Sequence, residues 1–192
     1  MQLALENKRR RNSIHPMKLA LWMSLASISM MFAGLLSAYI VRQAAGNWFE
    51  FTLPNLFLVS TGIIILSSIT LHRSLVAFRN KKESSYKILL VTSFILGVLF
   101  IVCQYQGWMA MQAAGIDIKG NPSGSFAYVI SGLHVAHVLG GLAAMVVALI
   151  HAFKLDFRVT PLRINRLELT SHYWHYVDAL WVVLFLFLTY YR

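Results

Sequence analysis

Residues 168–192 read ELTSHYWHYVDALWVVLFLFLTYYR, and this segment combines ionisable side chains with a long apolar run. From 173 to 191 the run carries almost nothing charged except His175 and Asp178, and it is long enough to cross a bilayer. An ionisable side chain at membrane depth is costly, so it marks a functional or packing site that faces protein. With Glu168 and His172, these residues follow spacings of 4, 3 and 3. That pattern places all four within about 120° on one side of a helix.

The composition of the rest of the chain also indicates a membrane protein. Of its 192 residues, 58% are hydrophobic and only 12% are charged, and the mean hydropathy is +0.62. A soluble domain of this size could not cover so much apolar surface, whereas lipid can. The net charge of +10 does not indicate a nucleic-acid partner, because the basic residues form short clusters between apolar runs. The single cysteine, Cys103, excludes an internal disulfide framework.

The apolar runs predict an all-α, polytopic membrane protein with five transmembrane helices. These spans lie at about 19–41, 54–71, 88–106, 126–153 and 172–191. The predicted organisation is a basic cytoplasmic segment, 1–17, followed by a single five-helix transmembrane domain, 18–192. In the first span, Gly34-xxx-Ala38 predicts that a neighbouring helix approaches closely, as small residues allow.

Loop charge predicts the orientation of these helices. Fourteen Lys and Arg residues fall on one side of the predicted spans and three on the other. Cytoplasmic loops carry the excess of positive charge, so the N-terminus is expected in the cytoplasm and the C-terminus outside.

Two sets of polar residues could carry chemistry. His134-xx-His137 places two imidazoles on one helix face, a spacing that can hold a metal. The alternative is a buried pair that is hydrogen-bonded to a neighbouring helix. The row formed by Glu168, His172, His175 and Asp178 could bind a metal or haem, or relay protons. Its alternative is a hydrogen-bonded network that fixes the last helix against its neighbours.

Three stretches together resemble one family. They are YWHYVDALW at 173–181, SGLHVAHVLGG at 131–141, and the first span from Leu21-Trp22 to FAGLLSAY at 32–39. They resemble subunit III of the haem-copper oxidases (cytochrome c oxidase subunit 3). The full-length family has seven helices, and this chain is similar to the short five-helix bacterial form that lacks the first two.

The resemblance implies a non-catalytic subunit III of an aerobic terminal oxidase, in which oxygen is reduced to water and protons are translocated. Such a subunit stabilises oxidase subunit I and holds membrane phospholipid in a bacterial cytoplasmic (inner) membrane. The resemblance places haem and copper in partner subunits and none in this chain. It also implies subunit II and a cytochrome c in the same complex.

By this resemblance, the notable polar and aromatic residues form a lipid cleft or a structural network and are not ligands. They are His134, His137, Glu168, His172, Trp174, His175 and Asp178, with Trp174 and Trp181 expected to pack inside. One departure concerns Ile28, which follows Ala26-Ser27 where many relatives have a buried carboxylate. A proton-uptake role built on that carboxylate does not carry over.

Three alternatives remain open from the sequence. The chain could be subunit III of a quinol oxidase, because both oxidase types use similar third subunits. It could be the related accessory protein of a nitric oxide reductase. A third alternative, from another class, is a stand-alone membrane metalloprotein that uses His134, His137, His172, His175 and an acid.

Overall fold

The fold is a bundle of five long α-helices. The computed structural model describes residues 16–191, so the basic segment up to His15 and the terminal Arg192 lie outside the described residues. In chain order the helices are α1 (Pro16–Ala44), α2 (Asn55–Arg79), α3 (Glu83–Ala113), α4 (Pro122–Lys154) and α5 (Pro161–Tyr190). No strand occurs between residues 16 and 191. All five helices are long and apolar enough to cross a membrane, as the sequence predicted.

Proline and short polar side chains set where α4 and α5 begin. Pro122 and Pro161 stand at the first turns of α4 and α5, where the missing N–H costs nothing. The side chains of Asn121 and Thr160 cap the same two helices by accepting hydrogen bonds from backbone N–H groups. Because Thr160 caps α5 so early, that helix begins well before the predicted span at 172. Its first turns are polar and still helical.

Helices α2 and α3 form a tight antiparallel hairpin. Only residues 80–82 connect them, and Lys81 adopts a left-handed backbone conformation with φ of 57°. Midway along the hairpin, Ser67 Oγ donates to the carbonyl of Ser93 at 2.9 Å, and Ser93 Oγ donates back to the carbonyl of Ser67 at 3.0 Å. Small hydroxyl residues let the two backbones approach closely, as expected where lipid provides no hydrophobic drive for helix association.

Helix α5 packs against α1, α2 and α4. Its two indole rings, Trp174 and Trp181, are fully buried, as the sequence predicted. Trp174 fits against Gly97 of α3 and Gly141 of α4. A methyl group added at Gly141 would lie 2.7 Å from the Trp174 ring, and one added at Gly97 would lie 2.9 Å from it. The two glycines therefore make the space that the ring of Trp174 fills.

Helix α1 lies at the edge of the bundle. Within the described residues it packs only on α4 and α5, through Leu25, Phe32 and Tyr39. The prediction that Gly34 and Ala38 admit a close neighbour is wrong within this chain. Both residues are exposed, and nothing lies within 4 Å of a methyl group placed on Gly34. The bulky residues of the opposite face make the contacts instead.

Candidate functional site

The α2–α3 and α4–α5 connections, residues 80–82 and 155–160, lie at the same end of the antiparallel bundle, here called the basic end. Near this end, Glu168 of α5 accepts a 2.7 Å charged hydrogen bond from Arg79 of α2 and lies 3.6 Å from Lys18 Nζ of α1. The carboxylate therefore connects three helices through two cations. Its side chain is mostly covered, whereas those of both cations are exposed.

His175 lies further along α5 and links it to α2. Its Nδ1 is hydrogen-bonded to the hydroxyl of Ser68, and its Nε2 to the hydroxyl of Ser171 at 3.0 Å. The ring of His72 lies 5.9 Å from that of His175, centre to centre. Both ring nitrogens of His175 are thus engaged by hydroxyl groups of the same chain, which fixes the orientation of the ring.

His172 shares the sequence spacing of this row but not its environment. Its side chain is exposed, and its Nδ1 bonds only the backbone carbonyl of Glu168, four residues earlier in the helix, at 2.7 Å. His172 therefore lies on the exposed surface of α5 and does not join Glu168 and His175 in contacting α2.

Asp178 ends the row inside the bundle. Asp178 is only 4% exposed, and neither of its carboxylate oxygens has a hydrogen-bond partner among the described residues. The hydroxyl of Ser68 is close enough to interact with the carboxylate, but it bonds His175. Asp178 is therefore buried beside a polar neighbour without a formed hydrogen bond.

The two buried tryptophans add hydrogen bonds to their packing. Trp174 Nε1 donates to Ser67 Oγ at 3.2 Å, and Trp181 Nε1 donates to Thr61 Oγ1 at 3.0 Å. Both acceptors belong to α2. A buried indole N–H finds a partner in this way, so each tryptophan fixes the register of α5 on α2 as well as filling space.

The histidines of α4 lie on the other side of α5. His134 is fully buried among the rings of Phe32, Phe100 and Trp181, the nearest of which is Trp181 at 4.9 Å between centres. Neither nitrogen of His134 has a hydrogen-bond partner among the described residues. The ring of His134 is therefore packed among aromatic rings from α1, α3 and α5.

His137 is bonded within the bundle. Its Nδ1 bonds the carbonyl of Leu133 at 2.7 Å, and the hydroxyl of Tyr173 donates to the carbonyl of His137 at 3.0 Å. Its ring centre lies 5.7 Å from that of Phe32. His137 therefore helps to join α4 to α1 and α5.

The sequence-predicted residues form two groups. Glu168, His175 and Asp178 face α2, whereas His134 and His137 face an aromatic pocket shared with α1. Between residues 16 and 191 there is no cluster of three His, Cys, Asp or Glu side chains arranged to hold a metal ion. Of this polar set, Glu168 and His175 bond α2, whereas His134 and Asp178 have no hydrogen-bond partner among the described residues.

Sequence reasoning missed the partners on α2. Ser68, His72 and Arg79 lie 4 and 7 residues apart. At about 100° per residue these positions share one helix face. The sequence could therefore have predicted a polar stripe along one face of α2. It could not have predicted that this stripe faces α5.

Comparison with known proteins decides the family. The family model described as cytochrome c oxidase subunit III matches residues 12–192. The chain belongs to the cytochrome c oxidase subunit III family. Cytochrome c oxidase subunit 3 of Corynebacterium diphtheriae is 32% identical over 82% of this chain and 79% of its own length. The Synechocystis protein of the same name is 28% identical over 84% of this chain and 70% of its own length.

A relative of a second oxidase type also matches this subunit III. The cytochrome bo(3) ubiquinol oxidase subunit 3 of Buchnera aphidicola is 26% identical and covers 88% of both chains. The chain is thus a subunit III of the haem-copper oxidases, a membrane protein that forms part of a larger oxidase complex.

Ile28 lies in an apolar environment. Ile28 packs on the cluster of Phe32, Tyr39, Ile130 and Leu184, where α1 meets α4 and α5. An apolar side chain suits that cluster, and a carboxylate there would need a partner.

Proposed function

We propose that this subunit III serves an aerobic terminal oxidase of a bacterial cytoplasmic membrane, with its N-terminus in the cytoplasm and its C-terminus outside. The complex reduces oxygen to water and translocates protons. The family match over nearly the whole chain carries the proposal. The orientation follows from the excess of Lys and Arg on one side of the predicted spans.

The share of this chain in that reaction is structural, and the redox centres belong to partner subunits. Support comes from how the imidazoles and acids of the described residues are used. His175 bonds Ser68 of α2, Glu168 bonds Arg79 of α2 and lies 3.6 Å from Lys18 of α1, and Tyr173 donates to the carbonyl of His137 in α4. These contacts hold α5 against α1, α2 and α4. A rigid bundle of this kind is suited to stabilise oxidase subunit I by direct packing and to retain phospholipid.

Cytochrome c is the proposed electron donor, and its electrons enter the complex through subunit II. The relatives at 32% and 28% identity are named as subunits of cytochrome c oxidases. A quinol oxidase is the second candidate, because the ubiquinol oxidase relative covers 88% of this chain.

The structural role is tested by purifying the oxidase complex with Asp178→Asn in this chain. We expect less subunit III to copurify with subunits I and II, while complexes that retain it keep their haem content and turnover. The reason is that a buried residue between α5 and α2 affects packing, whereas the oxygen chemistry lies elsewhere. A fully assembled complex that has lost its oxygen consumption would contradict this role.

The absence of a redox centre is tested separately by metal analysis of the isolated subunit. Stoichiometric iron, copper or zinc would favour the stand-alone metalloprotein. Donor specificity is tested with reduced cytochrome c and ubiquinol as alternative substrates of the intact complex.

A further inference from the structure

The carboxyl group of Asp178 lies buried between two tryptophans of α5. Asp178 comes four residues after Trp174 and three before Trp181, and both indoles are fully buried. At about 100° per residue, the three side chains fall within roughly 60° on one helix face. Neither oxygen of Asp178 has a hydrogen-bond partner among the described residues. The carboxyl group therefore belongs to the apolar interior of the bundle.

No charged group among the described residues neutralises this carboxyl group. The titratable or charged groups along the helices around it are Glu168, His172, Tyr173, His175 and Tyr176 on α5, His72, Arg73 and Arg79 on α2, Cys103 on α3, His134 and His137 on α4, and Lys18 on α1. None of these groups forms an ion pair or a hydrogen bond with Asp178. An isolated carboxylate in an apolar interior is costly, and binding a proton removes that cost.

Hydroxyl and imidazole groups continue from Asp178 toward the basic end. The hydroxyl of Ser68 on α2 is close enough to interact with the carboxyl group and is hydrogen-bonded to His175 Nδ1. His175 Nε2 is hydrogen-bonded to Ser171 Oγ at 3.0 Å, one turn nearer the start of α5. A neutral imidazole accepts a hydrogen bond at one nitrogen and donates at the other, so these groups can pass a proton along.

An exposed histidine lies at the outer end of this path. The centre of the His72 ring on α2 is 5.9 Å from that of His175, and the His72 side chain is exposed. His72 directly follows the predicted span at 54–71, and only residues 73–79 separate it from the α2–α3 connection at the basic end. An imidazole there can exchange protons with water at ordinary pH.

We propose that Asp178 is an internal proton-binding site, protonated at neutral pH, that exchanges its proton with water at the basic end. Ser68 and His175 carry the exchange, and His72 is the exposed base at its outer end. This goes beyond the structural role proposed above, because it gives the chain a titratable site of its own.

Protons balance along this path. The Asp178 carboxyl O–H donates to Ser68 Oγ, and the Ser68 hydroxyl donates to His175 Nδ1. On release, the carboxyl proton moves to Ser68 Oγ while the Ser68 hydroxyl proton moves to Nδ1, which leaves a carboxylate and an imidazolium. The imidazolium then loses its Nε2 proton to water by way of the Ser171 hydroxyl. A proton from water returns by the reverse steps and restores the neutral carboxyl group.

The test measures the infrared C=O band of Asp178 in the intact oxidase complex, isotope-labelled at the aspartate side-chain carboxyl carbon. A protonated carboxyl group gives a band distinct from that of a carboxylate, and this band shifts when deuterium replaces the proton. The rate of the shift after transfer into deuterium oxide is therefore the rate of proton exchange. Asp178→Asn and Asp178→Glu identify the band, because each removes it from the labelled set.

The path is tested with Ser68→Ala, His175→Gln and His72→Gln. Two matched controls remove similar groups outside the path. Thr70→Ala removes a hydroxyl of α2 that bonds the Ser67 carbonyl of its own helix. His151→Gln removes an imidazole of α4 that bonds the carbonyl of Val147.

We expect the wild type to show a protonated carboxyl band at neutral pH that depends on Asp178. Ser68→Ala and His175→Gln should keep this band and slow its exchange about 100-fold, within the range that a positioned proton-transfer group contributes. His72→Gln should slow it by a smaller factor, because the His175 ring is itself only half-buried. Both controls should exchange at the wild-type rate.

A wild type without a protonated carboxyl band that depends on Asp178 would overturn the site. If Asp178→Asn does not assemble, Asp178→Glu assigns the band, because it keeps a carboxyl group and loses the label. Equal exchange in the wild type, Ser68→Ala and His175→Gln would overturn the path and the proposal with it. An equal slowing in either control would reduce the effect to altered packing and also overturn it. The packing role is judged separately, by the subunit III content of the complex.

Discussion

Helices α1 and α5 show how differently two spans of one bundle can be used. α1 is the more hydrophobic, yet only 11% of its apolar window is buried inside the chain, against 33% for α5. α5 carries Glu168, His175 and Asp178 and packs on three other helices. In lipid, apolar side chains do not distinguish core from surface, because both environments are apolar. Polar groups and shape mark the buried faces instead.

The largest loss of stability is expected where a ring packs directly against a glycine. Gly141→Ala would place a methyl group 2.7 Å from Trp174. We expect the variant to lower the free energy of unfolding by about 1–3 kcal/mol, because the ring or the helix must move. Unfolding of the detergent-solubilised protein by increasing SDS measures this change in the free energy of unfolding.

Gly132→Ala is the matched control in the same helix, since nothing lies within 4 Å of the added methyl group. It should be neutral or stabilising by up to about 1 kcal/mol, from helix propensity. Equal effects of the two substitutions would mean that Trp174 does not occupy the space beside Gly141.

The next effect concerns the second indole. Trp181→Phe should cost about 1–2 kcal/mol, through the lost hydrogen bond to Thr61 and the space left beside His134. On α1, Trp22 is exposed, so Trp22→Phe should change stability by less than about 0.5 kcal/mol in detergent. Thermal unfolding of the two variants sharpens the comparison between the helices, and a larger loss for Trp22→Phe would reverse it.

A smaller effect is expected from His175→Ala, which removes the links to Ser68 and Ser171. The expected cost is about 1 kcal/mol, since polar contacts between membrane helices contribute modestly. His172→Ala, three residues away, should change little because its side chain is exposed and bonds only its own helix. The measurement is the fraction of subunit III that survives detergent extraction in the complex. Equal losses would show that the link to α2 does not matter.

The smallest effect is expected at the charged contact between α1 and α5. Glu168→Gln removes the pair with Arg79 and Lys18 and should cost about 0.5 kcal/mol, because both cations are exposed. The difference from wild type should shrink as salt concentration rises. Glu83→Gln, which breaks only the Lys87 pair within α3, is the control. A salt-independent loss would contradict the electrostatic account.

Sequence alone could predict the class of the fold and the number of spans. Runs such as 173–191 are long and apolar, and that signal depends only on composition. Packing between helices could not be predicted in the same way. Gly34-xxx-Ala38 and Gly141 look alike as small residues, yet Gly34 faces away from the bundle and Gly141 lies against Trp174. Which small residue meets a partner depends on the rotation of each helix, which apolar composition does not record.

The candidate site was partly predictable for a related reason. The spacing of Glu168, His175 and Asp178 placed them on one face of a helix. Their partners Ser68, His72 and Arg79 lie some hundred residues earlier, and helical periodicity carries no information across that distance. The roles of these residues remain predictions for the experiments above.

The place of α5 at the end of the chain also bears on how the bundle is made. α5 follows the other four helices in the sequence, so the ribosome delivers it last. Until then Thr61 has no indole to bond and the space between Gly97 and Gly141 has no ring to fill it. The α2–α3 hairpin has its own serine hydrogen bonds, whereas the packing around both tryptophans needs α5. Membrane insertion of the final span is then the step that completes the bundle.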